Sequence, residues 1–161
     1  VIVTNEGTRP ILVEIQALVG STSYPAPRRV TNGVDTSRVL QILAVLEKRV
    51  GLNFSKQDVY VNVIGGIDIK EPAADLGIAV AIVSCFKDKL VDNKTVIIGE
   101  IGLSGEVRSI TNLEKRLIEA EKLGFKTAVV PKSNEKSLSK DLKIKLVGVN
   151  KITDALKECC F

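Results

Sequence analysis

The sequence has 161 residues, of which 45% are hydrophobic and 26% charged, and it carries a net charge of +4. This composition is typical of a globular protein and excludes a disordered or fibrous chain. It contains no histidine, which excludes Ser-His-Asp and Cys-His catalysis. No apolar run reaches the roughly 18 residues of a membrane span. We therefore expect a single domain over residues 1–161 with no membrane partner.

The three cysteines are Cys85, Cys159 and Cys160, and they have no CxxC spacing. This pattern predicts neither a zinc site nor a disulfide framework. Cys85 is expected to pack as a small hydrophobe, whereas the other two fall at a frayed end and receive no role. With this cysteine usage a reducing cytoplasm is the expected location. The chain begins at Val1 in strand-like sequence, which favours a part of a longer protein.

The first elements are expected to be strands at residues 1–4 and 11–19, joined by a turn. Residues 20–33 are rich in Gly, Pro and Ser and predict a loop. Asp35 is placed to cap a helix over residues 36–50.

A strand at residues 58–64 precedes the most apolar part of the chain. Pro72 suits the first turn of a helix, and residues 73–86 are almost all apolar or small. A helix without a polar face must be covered on every side, so we place it in the middle of the domain. Its only charge, Asp75, has two interpretations. A carboxylate is favoured at a helix start by roughly 0.3–1 kcal/mol, or Asp75 stands where a related fold keeps a working residue.

The second half mixes strands and helices. Residues 95–99 and 106–110 predict an antiparallel hairpin. Residues 113–123 predict an amphipathic helix with Leu113, Leu117, Ala120 and Leu123 facing inward. Further elements are predicted at 126–130 (strand), 144–147 (strand) and 152–158 (helix). Hairpins beside crossovers indicate an α+β class, with mixed sheets packed against helices.

The excess positive charge lies in one stretch, residues 21–57, which holds six basic and two acidic residues. The remaining residues balance to zero. Arginine makes the bidentate contacts that phosphates favour, so this stretch is a candidate nucleic-acid surface. A solvated face with scattered ion pairs is the alternative. The basic residues of this stretch include Arg28, Arg29, Arg38, Lys48 and Arg49.

The segment 99–105, GEIGLSG, looks like a phosphate-binding loop but lacks the GK[ST] ending, and turn geometry explains its glycines. A longer series is more specific: VNVIGG (61–66), EPAADLGIA (71–79), GEIGLSGEVRSI (99–110) and LEKRLIEAEKLGFKTAVVP (113–131). It resembles the proteolytic domain of Lon proteases, whose fold is of the ribosomal protein S5 domain 2-like type.

The resemblance implies positions for a Ser-Lys dyad, and these are held here by Asp75 and Arg116. A carboxylate is not a serine-type nucleophile, and arginine cannot act as a neutral base. We therefore expect a Lon-like fold with no catalytic residues. If the two positions lie as close as in the proteases, Asp75 and Arg116 should form an ion pair.

The segments LVEIQALV (12–19), YPAPRR (24–29), QDVYVNVIGG (57–66) and EPAADL (71–76) are similar to the C-terminal domain of the bacterial RadA/Sms recombination and DNA-repair family. That resemblance implies a longer protein with a zinc ribbon and a RecA-like ATPase, neither of which is in this sequence. It implies hexameric rings and ATP-driven branch migration on DNA. ATP, magnesium and zinc are therefore expected in the other domains, and no cofactor is expected here.

Within this family the five basic residues are expected to contact the DNA backbone. Tyr24 is the only aromatic residue in the stretch from residue 24 to residue 49, which favours contact with the duplex backbone over stacking on bases. Two alternatives remain open. The domain could be a pure oligomerisation scaffold with Arg28 and Arg29 at a subunit boundary, or an active peptidase. For the latter, Ser84 and Ser104 are the nearest serines, and neither is in the nucleophile register.

Overall fold

The computed structural model describes residues 1–159. Its strands are β1 (Ile2–Glu6), β2 (Arg9–Val13), β3 (Ile15–Ser21), β4 (Arg29–Asn32), β5 (Gln57–Val63), β6 (Thr95–Ile97), β7 (Glu100–Ile101), β8 (Val107–Arg108), β9 (Thr127–Pro131) and β10 (Lys145–Val149). Its helices are α1 (Thr36–Val45), α2 (Asp75–Phe86), α3 (Leu113–Lys122) and α4 (Ile152–Glu158). Parallel and antiparallel pairings occur together, which confirms the predicted α+β class. No helix within residues 1–159 has the length and apolarity needed to cross a bilayer.

The expected strand at residues 11–19 is in fact two strands in different sheets. β2 pairs antiparallel with β1, whereas β3 pairs antiparallel with β5. The change of sheet falls at Glu14, an exposed residue whose backbone carbonyl accepts a hydrogen bond from the Ile64 amide at 3.0 Å. The alternation of apolar residues continues through Glu14, so the change of sheet is visible only from the strands with which β2 and β3 pair.

The first three-stranded sheet has the order β3-β5-β4, and it corrects the prediction of a loop over residues 20–33. β3 continues to Ser21, and β4 forms a parallel pair with β5. β4 is only four residues long, and its hydrogen bonds to β5 rather than its composition make it a strand. Gly33 ends it with φ +82°, and a Cβ at this position would lie 2.6 Å from the Cβ of Val63.

The first helix begins as predicted. The Asp35 side chain accepts a hydrogen bond from the Ser37 amide at 3.3 Å, which satisfies one of the unpaired amides of the first turn. The regular α-helix ends at Val45, and a π-helical turn, Leu46–Val50, completes the predicted length. Gly51 ends the turn with φ +83°, a conformation that favours glycine.

The central helix α2 is buried as predicted, and a short 3-10 turn, Pro72–Ala74, leads into it. All eight residues from Asp75 to Ile82 except Ala81 are buried. Gly77 allows the first strand to approach closely, since a Cβ there would lie 2.1 Å from the Cγ2 of Ile2. The apolar helix therefore lies between the N-terminal strands and the second half of the chain.

The second three-stranded sheet is parallel, with the order β10-β9-β6, and it separates two hydrophobic cores. Ile97, Val129 and Val149 face the core that contains α1, α2 and α4. Val96 and Val130 face the smaller core that contains α3. The strand period of two therefore determines which core receives each side chain.

The predicted hairpin is corrected in its extent. Residues 95–97 form β6, which pairs parallel with β9 and not with residues 106–110. The antiparallel hairpin is the shorter pair β7 and β8, in which Glu100 faces Arg108 and Ile101 faces Val107. We call its loop, residues 102–106, the hairpin loop.

The end of the chain differs from expectation at two residues. Leu123, predicted to face inward, is 57% exposed because α3 ends at Lys122 and Gly124 follows with φ +89°. Cys159, predicted to lie at a frayed end, is buried in the larger core after α4. The expectation for Cys160 lies outside the described residues. Cys85 is half-buried, and its sulfur accepts a hydrogen bond from the Val19 amide at 3.3 Å.

Candidate functional site

Asp75 begins α2 and is 1% exposed, yet it is fully hydrogen-bonded. Arg38 of α1 donates two hydrogen bonds to its carboxylate: Nε lies 2.7 Å from Oδ1, and Nη2 pairs with Oδ2. The Ile101 amide of β7 donates to Oδ2 at 3.1 Å. One carboxylate therefore joins two helices and the hairpin.

The two partners of this ion pair differ in their exposure to water. Burial raises the pKa of Asp75 above its usual value, although the hydrogen bonds from Arg38 and Ile101 oppose that shift. The hydrogen bond to Asp75 raises the pKa of Arg38, whose side chain is 29% exposed. Desolvation is thus the main cause of the pKa shift of Asp75, and the hydrogen bond to Asp75 is the main cause of the pKa shift of Arg38.

Arg116 of α3 is 1% exposed and is held by a different acid, Glu71. Its Nη2 lies 2.9 Å from Oε2 of Glu71, and its Nη1 donates both to Oε1 and, at 2.9 Å, to the carbonyl of Val3. Burial of Glu71 acts to raise its pKa, but hydrogen bonds from Arg116, Thr4 and Asn5 outweigh it, and the pKa is lowered. This arrangement fixes the segment before α2 against β1 and α3.

The expected ion pair between Asp75 and Arg116 is therefore wrong. Each residue has a partner, but Asp75 pairs with Arg38 and Arg116 pairs with Glu71. Glu71 was visible in the EPAADL motif, one helical turn before Asp75. Nothing in the local sequence assigns two acids to two arginines that come from separate helices.

A cavity of about 440 Å³ opens beside Asp75. Charged and apolar side chains line it together, among them Asp35, Arg38, Asp68, Lys70 and Ile78. No group of three or more potential metal ligands occurs within residues 1–159. Ser84 and Ser104 do not line this cavity: Ser84 donates to the carbonyl of Lys89, and Ser104 lies in the hairpin loop.

The basic loop before β4 holds its two arginines in different ways. Arg28 is exposed, and its guanidinium lies 3.6 Å from the centre of the Tyr24 ring. Its amide donates to Oδ1 of Asp58 at 2.7 Å, which lowers the pKa of Asp58. Arg28 therefore presents its charge to solvent from a fixed backbone position.

Arg29 points into the protein instead. Its guanidinium donates to three backbone carbonyls, those of Arg28 at 3.1 Å, Phe54 at 2.9 Å and Gln57. It ties the start of β4 to the loop that precedes β5. The sequence motif PRR thus contains one exposed arginine and one anchoring arginine.

Lys48 and Arg49 lie in the π-helical turn after α1, and both are exposed. Glu47 of the same turn accepts a hydrogen bond from the Phe54 amide at 3.3 Å. Because Arg29 binds the Phe54 carbonyl, this turn and the basic loop lie at the same end of the domain. Arg38 lies ten residues before Lys48, about 15 Å along the helix axis, and its guanidinium is bound to Asp75. The structure thus places four of the five candidates at one end of the domain, whereas the guanidinium of Arg38 is bound to Asp75.

A family model described as subunit ChlI of Mg-chelatase matches residues 31–134, more than half of the chain. The chain belongs to the ChlI family. The ChlI match includes both ion pairs and the turn with Lys48 and Arg49, and it begins after Arg28 and Arg29.

Curated relatives extend the similarity beyond the ChlI match. DNA repair protein RadA from Synechocystis is 54% identical over 151 residues, which are 94% of this chain and 30% of that protein. The proteins of the same name from Halalkalibacterium halodurans and Bacillus subtilis are each 48% identical, over 98% and 94% of this chain. The chain spans about a third of the length of these relatives. The resemblance to the C-terminal region of RadA is confirmed.

Proposed function

We propose that this chain is a non-catalytic DNA-binding and ring-assembly domain, with a Lon protease-like fold, in a longer RadA-type recombination protein. Similarity to proteins named for DNA repair covers 94–98% of the chain. In the longer protein, ATP hydrolysis and branch migration belong to regions that this chain does not match. A cytoplasmic location accompanies this proposal.

One observation carries the DNA part of the proposal. Arg28, Lys48 and Arg49 are exposed at one end of the domain, and none of them forms an ion pair with a carboxylate of residues 1–159. Phosphate neutralisation by such residues is the main source of DNA affinity that is independent of sequence. Arg29 supports this surface by fixing the loop, and Arg38 is left out because Asp75 binds its guanidinium.

The absence of peptidase chemistry is supported by the site at the start of α2. In the register of the Lon resemblance the nucleophile position holds Asp75, whose carboxylate is engaged by Arg38 and Ile101. The position of the catalytic lysine holds Arg116, whose guanidinium pairs with Glu71, and arginine cannot act as a neutral base. Neither residue can perform the role of a serine nucleophile or its base.

Salt-dependent DNA binding tests the proposal. Fluorescence anisotropy of a labelled duplex is measured over a series of salt concentrations for the unaltered chain, Arg28→Ala and the control Arg9→Ala. Arg9 is exposed at the start of β2. The Arg28 variant should bind more weakly, and the slope of log K against log salt should become shallower by about 0.9. An unchanged slope, or equal weakening by the Arg9 variant, contradicts the role of the basic loop.

A pure scaffold without DNA contact is the second candidate, and an apolar groove favours subunit contact. The groove, about 690 Å³, lies between β3, α2 and the loop after α2. It includes Leu18 and Leu90, which are 62% and 93% exposed. Sedimentation separates the candidates: stable rings of this chain that ignore DNA support the scaffold, whereas DNA binding that survives Leu90→Glu supports the leading proposal.

A further inference from the structure

The hairpin loop presents an apolar side chain to solvent. Leu103 is 70% exposed, although it lies in a short loop closed by the β7–β8 pair. The loop is held in place: the Gly105 amide donates to the Gly102 carbonyl at 2.9 Å, and the Gly102 amide donates to the Glu106 carbonyl at 3.0 Å. Leu103 is therefore exposed on a loop whose backbone is held by hydrogen bonds.

Two basic residues lie beside this loop. Nε of Arg49 lies 3.5 Å from the carbonyl of Leu103, and a Cβ at Gly105 would lie 3.3 Å from the Cβ and Cγ of Arg49. Lys151 forms a β-bridge with Glu106, and the Ile152 amide donates to the Gly105 carbonyl at 2.9 Å. Arg49 and Lys151, which are far apart in the sequence, thus both lie beside the hairpin loop.

The charges at this place are not balanced. Arg108 forms ion pairs with Glu100 and Glu106, at 3.7 and 3.4 Å. Arg49 and Lys151 are exposed and form none with the carboxylates of residues 1–159. An exposed leucine on a loop that also carries two unpaired cations is suited to a polyanionic ligand with apolar surface close to its charges.

We infer that the hairpin loop is a second DNA contact, in which Arg49 and Lys151 bind phosphates and Leu103 packs against sugars or base edges in the minor groove. Apolar side chains flanked by basic residues are a recurring means of contacting and opening the minor groove. This inference rests on the proposed DNA-binding function and extends it: the DNA surface would run from Arg28 past Lys48 and Arg49 to Lys151.

A second copy of this chain is the other occupant that an exposed leucine could contact. The two unpaired cations favour a polyanion, because a protein surface would have to supply carboxylates to compensate them. Measurement of the oligomeric state separates the two occupants.

The test uses two variants with matched controls. Lys151→Gln removes a charge that follows the carboxyl end of β10. Its control, Lys126→Gln, removes a charge that precedes the amino end of β9. Because β9 and β10 are parallel, the two lysines lie at opposite ends of the strands. Leu103→Ala removes the apolar tip, and its control, Leu123→Ala, shortens a leucine that is 57% exposed at the end of α3. All four side chains are exposed, and circular dichroism checks the fold of each variant.

Anisotropy with a labelled duplex should give two different signatures. Lys151→Gln should weaken binding and make the salt slope shallower by about 0.9, because one phosphate contact is lost. Leu103→Ala should weaken binding about threefold or more at an unchanged slope, because it removes contact area without charge. The controls should bind like the unaltered chain.

Three outcomes overturn the inference. If Arg28→Ala weakens binding but Lys151→Gln and Leu103→Ala do not, the hairpin loop does not contact DNA and the proposed function stands. If the unaltered chain does not bind DNA, both fail. If Leu103→Ala changes the sedimentation coefficient of the chain without changing DNA affinity, the loop is a contact between copies.

Discussion

Arg38 and Asp75 form a two-pronged ion pair that joins α1 to α2 across 37 residues of sequence. The side chain of Asp75 is 2% exposed and that of Arg38 is 29% exposed. Because the arginine is already partly hydrated in the pair and the aspartate is not, the two ends of the bond should respond unequally to mutation.

Arg38→Ala should destabilise the protein more than Asp75→Ala. The first change leaves a buried carboxylate with only the Ile101 amide, and we expect a loss of about 3–5 kcal/mol. The second leaves a partly hydrated guanidinium and an unsatisfied amide, with an expected loss of about 2–3 kcal/mol. Urea denaturation of both variants and of the double variant gives the coupling energy. Equal losses, or a larger loss for Asp75→Ala, would contradict this assignment.

Glu71→Ala should cost about 3–5 kcal/mol, because it leaves the fully buried guanidinium of Arg116 without its counter-ion. Glu6→Ala, an exposed acid at the end of β1, is the control and should change stability by less than about 0.5 kcal/mol. Thermal and urea melts measure both. A loss for Glu71→Ala no larger than that of its control would show that Arg116 does not depend on this acid.

The two ion-paired acids should give opposite pH dependences. The pKa of Glu71 is lowered from its usual 4.5, so its stabilising contribution is present above pH 4.5 and is lost as the pH falls through the lowered value. The stability advantage of the unaltered chain over Glu71→Gln should therefore shrink on acidification.

The pKa of Asp75 is raised above its usual 3.8, so the folded state holds this proton more tightly than the unfolded state. Relative to Asp75→Asn, the unaltered chain should gain stability as the pH falls through the raised value towards 3.8. Denaturant titrations across the acid range measure both differences. If both stability differences changed in the same direction on acidification, the opposite pKa shifts of Glu71 and Asp75 would be contradicted.

Arg29→Ala should destabilise the protein by about 1–3 kcal/mol, because three backbone carbonyls lose their donor. Arg28→Ala removes the same charge one residue earlier but only an exposed contact with Tyr24, for which about 0.5–1 kcal/mol is expected. Melting temperatures of the two variants test the distinction. If the order were reversed, Arg29 would not be the anchor of the basic loop.

Gly77→Ala should destabilise the protein by about 1–3 kcal/mol, although alanine is the better helix former. The new Cβ would lie 2.1 Å from the Cγ2 of Ile2, and a β-branched side chain in a strand has little room to turn away. Gly20→Ala is the control, since nothing lies within 4 Å of its Cβ position. A stabilised Gly77→Ala variant would mean that β1 does not pack this closely on α2.

Several features could be predicted from local sequence because short-range physics sets them. The apolar run from Ala73 predicted a buried helix, Asp35 predicted a cap, and residues 152–158 predicted a helix that the structure contains with the same bounds. Periodicity gave a wrong prediction where the same local pattern is compatible with two structures. The four residues of β4 become a strand through β5, and Leu123 leaves the helical face because α3 stops one residue earlier.

The sequence by itself determined the α+β class, the buried central helix and the location of the excess positive charge, since each follows from neighbouring residues. Only the tertiary structure decided which acid binds which arginine, which arginine of the PRR motif is exposed, and that Arg49 and Lys151 both lie beside the hairpin loop. The hydrogen bonds among these contacts join residues 25 to 54 positions apart. Their partners are chosen by how helices and sheets pack, and no local pattern carries that information.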